Sequence, residues 1–478
     1  MTQPKQSKPS PREDDDMPPP IAGAEVVVIG MARSGLAAAL MLAGRGAQVF
    51  VSDSGTEESL KSPVESLRAR GIRYEIGRHT LDCLDHADFV IASPGVKADN
   101  PIIAAALQRE LPVYSEIEAA FWLSSAPVLA VTGANGKTTT TAWLSAIYRG
   151  AGKAAEVGGN IGRAYADFAT AIPPNARAIL EVSSFQLERI DTFRPHVAAI
   201  LNITPDHLDR HGNMAEYTRL KFRLLENQTS ADHAVLNADD DIIGRWNLDH
   251  PRGGSHKWWF SSAQPVAPGV WVEDGLLKFD TGAVRGTIPG SDRLRPPGLH
   301  NQMNAAAAVA MALADGLSPA EIEPGLMGFA GCEHRLETVA DVDGVTYVND
   351  SKATNPDSVA KAIAAFSRPL VVIMGGLDKG TDFGFLAEEL SRRSRLLVFT
   401  GAAAAKLEFQ LGGRAPHRTI PDFAGAFAAA STAARPGDVV LLSPGCASFD
   451  QFDNFEHRGR VFKDLVTNLA RSRGKPGA

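Results

Sequence analysis

Residues Val128 to Thr139 read V-L-A-V-T-G-A-N-G-K-T-T, and Thr140 to Arg149 continue as a helix-forming run. A short apolar strand, a glycine-bearing turn and a helix in that order make a phosphate-binding loop. Gly133 and Gly136 let backbone N–H groups of Gly133, Ala134, Asn135 and Gly136 approach phosphate oxygens. The helix N-terminus adds partial positive charge. Lys137 is placed to reach terminal phosphates, and Thr138 and Thr139 offer hydroxyls to a magnesium ion. The longer form of this loop has a glycine five residues before Gly136; here that position is Val131, so the loop is a shortened variant.

Outward from the loop, strand alternates with helix along the whole chain. Upstream, E-V-V-V-I (Glu25 to Ile29) leads into the turn G-M-A-R-S-G (Gly30 to Gly35), an alanine-rich helix, and a strand closing on Asp53. A dinucleotide fingerprint needs a glycine where Ala32 stands, so a nucleotide-like ligand other than NAD is expected there. Downstream, strands are expected at Ala178 to Val182, Val197 to Leu201 and Ala234 to Leu236, and a small side sheet at His256 to Thr287. Further strands are expected at Val345 to Val348, Leu370 to Met374, Leu396 to Phe399 and Val439 to Leu442. The pattern predicts three consecutive α/β domains with mainly parallel sheets. They are a Rossmann-like domain at 21–126, a phosphate-loop domain at 127–330 and a second Rossmann-like domain at 331–478, after a disordered tail at 1–20.

Composition narrows the function. The chain has 478 residues, enough for about three domains. A net charge of −7 gives no basic footprint for nucleic acid. No apolar run of ~18 residues predicts a membrane span, and the polar first twenty residues do not read as a secretory signal. Three scattered cysteines, Cys83, Cys332 and Cys446, support neither a zinc site nor disulfides, and point to a reducing cytoplasm.

Three further stretches carry chemistry. Glu181 ends the strand A-I-L-E-V, where a carboxylate suits magnesium or simply faces solvent. N-I-T-P-D-H-L-D-R-H (Asn202 to His211) reads by spacing as a metal site or a solvated turn. Lys221 shares a helix face with Tyr217, Leu224 and Leu225, so it either snorkels or sits in a semi-buried cleft with a reactive amine.

Taken in order, these segments resemble the Mur ligases, which use ATP to add amino acids to the peptidoglycan precursor. The resemblance spans nearly everything from Glu25 onward. It rests on T-G-A-N-G-K-T-T, G-G-N-I-G (Gly158 to Gly162), E-V-S-S-F-Q-L-E (Glu181 to Glu188), N-I-T-P-D-H-L-D-R, H-N-x-x-N (His300 to Asn304), H-R (His334, Arg335), N-D-S-K-A-T-N (Asn349 to Asn355) and S-P-G-C-A-S-F-D-Q-F (Ser443 to Phe452). The last two resemble the D-glutamate-adding branch.

The resemblance implies a cytoplasmic, monomeric ligase that joins D-glutamate to UDP-N-acetylmuramoyl-L-alanine through an acyl phosphate. Lys137 would hold the β- and γ-phosphates of ATP. Thr138 and Glu181 would hold one Mg²⁺, His207 a second, and Lys221 would be carbamylated by CO₂ into an anion that reaches magnesium. Asn301 and Asn304 would lie toward adenine, Arg335 toward the γ-phosphate and Asp350 toward the ribose. Arg33, Ser34, Asp53 and Ser54 would surround the uridine diphosphate, with Asn160 in the same cleft. His334, Lys352, Thr354, Lys379, Ser448 and Phe449 would form the D-glutamate side. Gly55 departs from members with a basic residue there. The competing readings are a folylpolyglutamate synthase-like amide ligase, a nicotinamide-dependent dehydrogenase, and an ATP-hydrolysing switch.

Overall fold

The computed structural model describes residues 18–474 apart from 98, 251–253, 296–297 and 379. Most of the expected tail, and Lys379, lie outside the described residues. The strands form three sheets. The first is wholly parallel: β1 (Glu25–Ile29), β2 (Gln48–Asp53), β3 (Arg73–Ile76), β4 (Phe89–Ala92) and β5 (Val113–Ser115), in the order β3-β2-β1-β4-β5. Order reverses between β1 and β4, and a crevice opens beyond the strand ends at such a switch point. Gly35 is obligatory beside it, because a Cβ there would meet the Gly30 carbonyl oxygen at 1.9 Å.

The middle sheet contains β6 (Val128–Thr132), β7 (Ala155–Gly159), β8 (Arg177–Glu181), β9 (Val197–Ile200), β10 (His233–Asn237), β11 (His256–Ser261), β12 (Gly269–Glu273), β13 (Leu276–Asp280) and β14 (Arg285–Thr287). Its order is β14-β13-β12-β11-β10-β9-β6-β8-β7. The separate side sheet expected at His256 to Thr287 is therefore not formed. Its first strand pairs parallel with β10, from His233 opposite His256 to Asn237 opposite Phe260, so those strands extend the central sheet. Only the β12–β13 and β13–β14 pairs are antiparallel, each joined by a tight turn. The third sheet has β15 (Glu337–Val342), β16 (Val345–Asn349), β17 (Leu370–Gly375), β18 (Ser394–Thr400), β19 (His417–Thr419) and β20 (Val439–Gly445), in the order β15-β16-β20-β17-β18-β19. β15 alone is antiparallel to its neighbour.

Three α/β domains are present, one for each sheet, yet the chain packs as two compact units. Met1–Pro289 and Asn304–Leu326 form one, and Gly290–Met303 with Met327–Ala478 the other. The first two sheets share a unit and one buried apolar cluster, which runs from Val26 and Val28 through Ile117 and Phe168 to Leu180 and Ala198, and the fully buried Glu118 adds a polar tie between them. Its carboxylate accepts the backbone N–H groups of Asp191, Thr192 and Phe193, the Thr192 hydroxyl and the indole N–H of Trp122. Gly290–Met303, expected in the middle domain, groups with the third sheet. There Gly290 lies against Met327, and His300 sits near Lys361 and Arg335.

Candidate active site

The phosphate loop leaves β6 at Thr132 and enters the helix Lys137–Gly150. Gly133 and Gly136 have φ of +155° and +84°, and a Cβ on Gly136 would lie 2.3 Å from Oδ1 of Asn304. Backbone freedom and space both require glycine there. Asn202, the first residue after the strand V-A-A-I-L, straps the loop in place. Its carbonyl accepts Ala134 N–H at 3.0 Å, its Oδ1 accepts Asn135 N–H at 2.9 Å, and its amide donates to the Asn135 carbonyl at 3.1 Å. That role was readable only from the residue's place immediately after a buried strand.

Two lysines meet at this loop. Lys137 donates to the carbonyl oxygens of Gly133 and Ala134, each at 2.8 Å, and Lys221 donates to the Gly133 carbonyl at 2.8 Å. Lys221 is 1% exposed, with its Nζ 4.6 Å from the Tyr217 ring centre, so it points inward and does not snorkel. Burial, and then the neighbouring Lys137 charge, push its amine well below the ordinary lysine range. A neutral primary amine in a protein is a nucleophile.

Beside the loop, Glu181 is 2% exposed at the end of β8. One carboxylate oxygen accepts the Thr138 hydroxyl at 2.7 Å, and the other accepts the Asn160 amide at 2.8 Å. This rules out the reading of Glu181 as a solvated strand end. A hydroxyl and a carboxylate already in contact form an oxygen donor set suited to Mg²⁺. His207 has φ of +53° at the start of the short helix Leu208–His211 and keeps an exposed imidazole 3.6 Å from Asp206. The two flanking motifs lock together: Ser184 Oγ meets His211 Nε2 at 2.9 Å, and Arg210 pairs with Glu188 at 3.0 Å and covers the Phe185 ring.

A cleft of about 740 Å³ opens beyond β1 and β2, lined by Gly30, Arg33, Ser34, Asp53, Ser54, His79, Asn160 and Gln186 among others. It gathers all four residues expected around a uridine diphosphate, together with Asn160. Arg33 donates to the carbonyl oxygens of Gly162 and Asn160, so one side chain spans the cleft wall and the G-G-N-I-G turn. Asp53 accepts the N–H groups of Met31 and Gly55, at 2.5 and 2.7 Å. A side chain at Gly55 would meet Leu60 at 2.9 Å and Asp53 at 3.0 Å, which is why no basic residue fits there without rearrangement.

The remaining expected residues lie in the second unit, apart from Asn304, which touches the phosphate loop and lies 3.5 Å from the Thr140 hydroxyl. Asn301 is buried near Gly298. Asp350 is buried and accepts the Ser443 hydroxyl and the Leu336 N–H; burial pushes its carboxyl up to about 7, against the pull of Arg335. His334 is 3% exposed, in contact with Asn349, and helix Phe455–Ser472 leaves room for it only because residue 459 is glycine. Lys352 lies over the Phe455 ring, Thr354 is half-buried, Ser448 is buried and Phe449 is exposed. Arg458, which the sequence reading missed, is 2% exposed. It donates to the carbonyl oxygens of Ser351, Cys446 and Ala447 and to the Ser351 hydroxyl, joining the two loops that carry Lys352 and Ser448.

Comparison with known proteins decides the family. Three family profiles match in order: Mur ligase MurD-like N-terminal domain over residues 24–115, Mur ligase middle domain over 131–312, and Mur ligase glutamate ligase domain over 334–446. The UDP-N-acetylmuramoylalanine--D-glutamate ligase of Koribacter versatilis is 42% identical over 95% of this chain and 100% of its own. That of Pelotomaculum thermopropionicum is 41% identical over 93% and 98%.

The chain belongs to the Mur ligases.

Among solved structures, the Thermotoga maritima UDP-N-acetylmuramate-alanine ligase shares the Mur ligase fold with a TM-score of 0.59, at 20% identity over 93% of this chain and 99% of its own. E. coli FolC in complex with DHPP and ADP shares it at 0.55 and 20% identity, over 74% and 92%. At that identity the likeness is one of fold alone, and it does not favour the folylpolyglutamate reading over a Mur ligase matched end to end.

Proposed function

We propose that the chain is an ATP-dependent ligase that joins D-glutamate to UDP-N-acetylmuramoyl-L-alanine in peptidoglycan precursor synthesis. One observation carries the reading: Asn160 lines the cleft beyond β1 and β2 and also holds Glu181, which holds Thr138 of the phosphate loop. A nucleotide-linked carboxylate bound along the cleft therefore ends beside the phosphate loop. The full-length relatives that carry this activity in their names support the same reading.

The chemistry follows from the groups present. A carboxylate is a poor electrophile, and phosphorylation by ATP gives an acyl phosphate with a good leaving group. The amine of D-glutamate then attacks the carbonyl and phosphate departs. The chain's share is to position reactants and offset charge. Lys137 and the loop N–H groups neutralise the transferring phosphate. Thr138 and Glu181 would hold one Mg²⁺, and His207 with Lys221 as its carbamate a second; magnesium would supply charge neutralisation on the phosphate oxygens. A buried, neutral Lys221 is the form able to take up CO₂. Arg335 and Asp350 would serve ATP. Lys352, Thr354, Lys379, Ser448 and Phe449, with His334 behind them, would serve a dicarboxylate. The site thus takes small-molecule substrates, and the protein would work as a cytoplasmic monomer. Among the described residues, no helix is long and apolar enough to cross a membrane.

The test is ADP and phosphate release from ATP with UDP-N-acetylmuramoyl-L-alanine and either D-glutamate, L-glutamate or no amino acid. Release that needs the UDP-sugar and D-glutamate, with a product heavier by one glutamyl residue, is expected. Turnover with a folate acceptor, or hydrolysis indifferent to both substrates, would overturn the proposal.

A further inference from the structure

The far end of the cleft holds a hydrogen-bond chain that neither the family motifs nor the expected site residues include. Sheet order puts β3 at the edge, outside β2 and away from β1. The phosphate end of a nucleotide belongs at the turn after β1, where Arg33 and Ser34 open a helix, and its sugar belongs beyond β2. The base then extends toward the residues that follow β3. His79, three residues past β3, lines the cleft there.

The proton positions on this histidine follow from its neighbours. Burial alone would raise the Glu75 carboxyl, but hydrogen bonds from Ser52 and Thr80 hold it below its ordinary value, so it is an acceptor only. It accepts the Thr80 N–H at 2.9 Å and the Thr80 hydroxyl at 2.6 Å. The fully buried Ser52 hydroxyl lies 2.6 Å from the same carboxylate and 2.7 Å from His79 Nδ1. Ser52 has one proton, and the carboxylate has none to give. The proton therefore goes to Glu75, and the contact with His79 must be Nδ1–H donating to Ser52 Oγ. In the neutral imidazole this leaves Nε2 as a lone pair. Among the described residues, no hydrogen-bond partner is found for Nε2.

We propose that His79 Nε2 accepts the imide N3–H of the ligand's uracil and makes the cleft selective for uracil over cytosine, with Ser52 and Glu75 as positioning residues that fix its tautomer. Cytosine presents a lone pair at N3, which would face the imidazole lone pair. This inference rests on the reading of the cleft as a uridine nucleotide site.

The test uses the full-length protein at pH 8 and titration calorimetry with UDP, N3-methyl-UDP and CDP. The wild type is expected to prefer UDP over both analogues by about tenfold, the equivalent of one well-made hydrogen bond. His79→Ala should bring UDP and CDP to within about twofold. Ser52→Ala keeps the ring but frees its tautomer, and should give a ratio between those two. Nitrogen-15 spectra of the wild-type histidines give an independent readout, with His79 expected as the Nδ1–H form. An undiminished UDP-to-CDP ratio in His79→Ala, or a wild-type Nε2–H tautomer, would overturn the inference while leaving the ligase reading intact. A protein that binds ATP but no UDP would overturn both.

Discussion

Replacing Glu118 with glutamine changes one buried atom and should loosen the join between the first two sheets. Oε1 accepts three donors, Trp122 Nε1 at 2.8 Å, Thr192 N at 2.7 Å and Thr192 Oγ1 at 2.6 Å; Oε2 accepts Asp191 N and Phe193 N, each at 2.9 Å. A glutamine side chain keeps only one acceptor oxygen. Its best orientation leaves that oxygen with the three donors and sets its NH₂ against two backbone N–H groups. Two charge-assisted bonds are lost and two N–H groups are left facing a donor. At about 1–3 kcal/mol for each such group, the sum is about 4 kcal/mol. Hydrogen exchange read by mass spectrometry at residues 191–193 should quicken by on the order of a thousandfold in Glu118→Gln, if that segment opens as a local unit. Binding of the UDP-sugar should weaken as well, because the cleft wall is made from both sides of this join. An exchange rate within about fivefold of wild type would refute the reasoning, since fivefold corresponds to only ~1 kcal/mol.

Three other outcomes are expected. Lys221→Ala should lose activity by on the order of a hundredfold or more, with partial recovery on adding formate or acetate; full activity without rescue would end the carbamate proposal. Asp350 keeps its proton in the folded chain up to about pH 7, whereas an unfolded aspartate loses it near pH ~4. The native state therefore binds more protons across that window, and its stability falls as pH rises from about 4 to 7, by up to roughly 4 kcal/mol; Asp350→Asn should flatten that part of the curve in denaturant titrations. Arg458→Met should raise KM for D-glutamate and lower the unfolding midpoint, because removing the guanidinium takes the donor from the buried carbonyl oxygens of Ser351 and Cys446, at about 1–3 kcal/mol for each; Arg458→Lys should recover only part of the loss, and an unchanged KM would show that the two loops hold themselves.

The sequence showed the alternation of strand and helix, the phosphate loop and the apolar helix face that Lys221 shares, because each depends on neighbours within a few residues; it left open whether that lysine snorkels, which only the surrounding packing decides. Strand–loop–helix order is local, and so is the spacing that sets Tyr217 beside Lys221. Glu118, Arg458 and the Ser52–Glu75–His79 chain escaped notice for the opposite reason. Glu118 holds groups 73–75 residues away, Arg458 ties Ser351, 107 away, to Cys446 and Ala447, 12 and 11 away, and Ser52 meets Glu75 and His79 at 23 and 27, and nothing in a lone glutamate, arginine or histidine signals such partners. The strands from His256 onward were read as a side sheet because short strands with turns suggest a hairpin unit. Whether such a unit stands alone or joins an existing sheet depends on one edge pairing, here between β10 and β11, which sequence pattern does not encode.

The discontinuous first unit also sets a timetable for synthesis. Trp143, in the helix that follows the phosphate loop, donates its indole N–H to the carbonyl of Leu326, 183 residues later. Asn304, whose side chain crowds Gly136, is likewise made long after the loop it contacts. At about 5–20 residues per second, the ribosome needs roughly ten to forty seconds to deliver that partner after the helix has emerged. During that interval the Leu326 carbonyl that accepts this indole N–H has not yet been made. A chaperone that shields apolar helix faces would therefore have its opening on this helix while residues 151 to 326 are still being made.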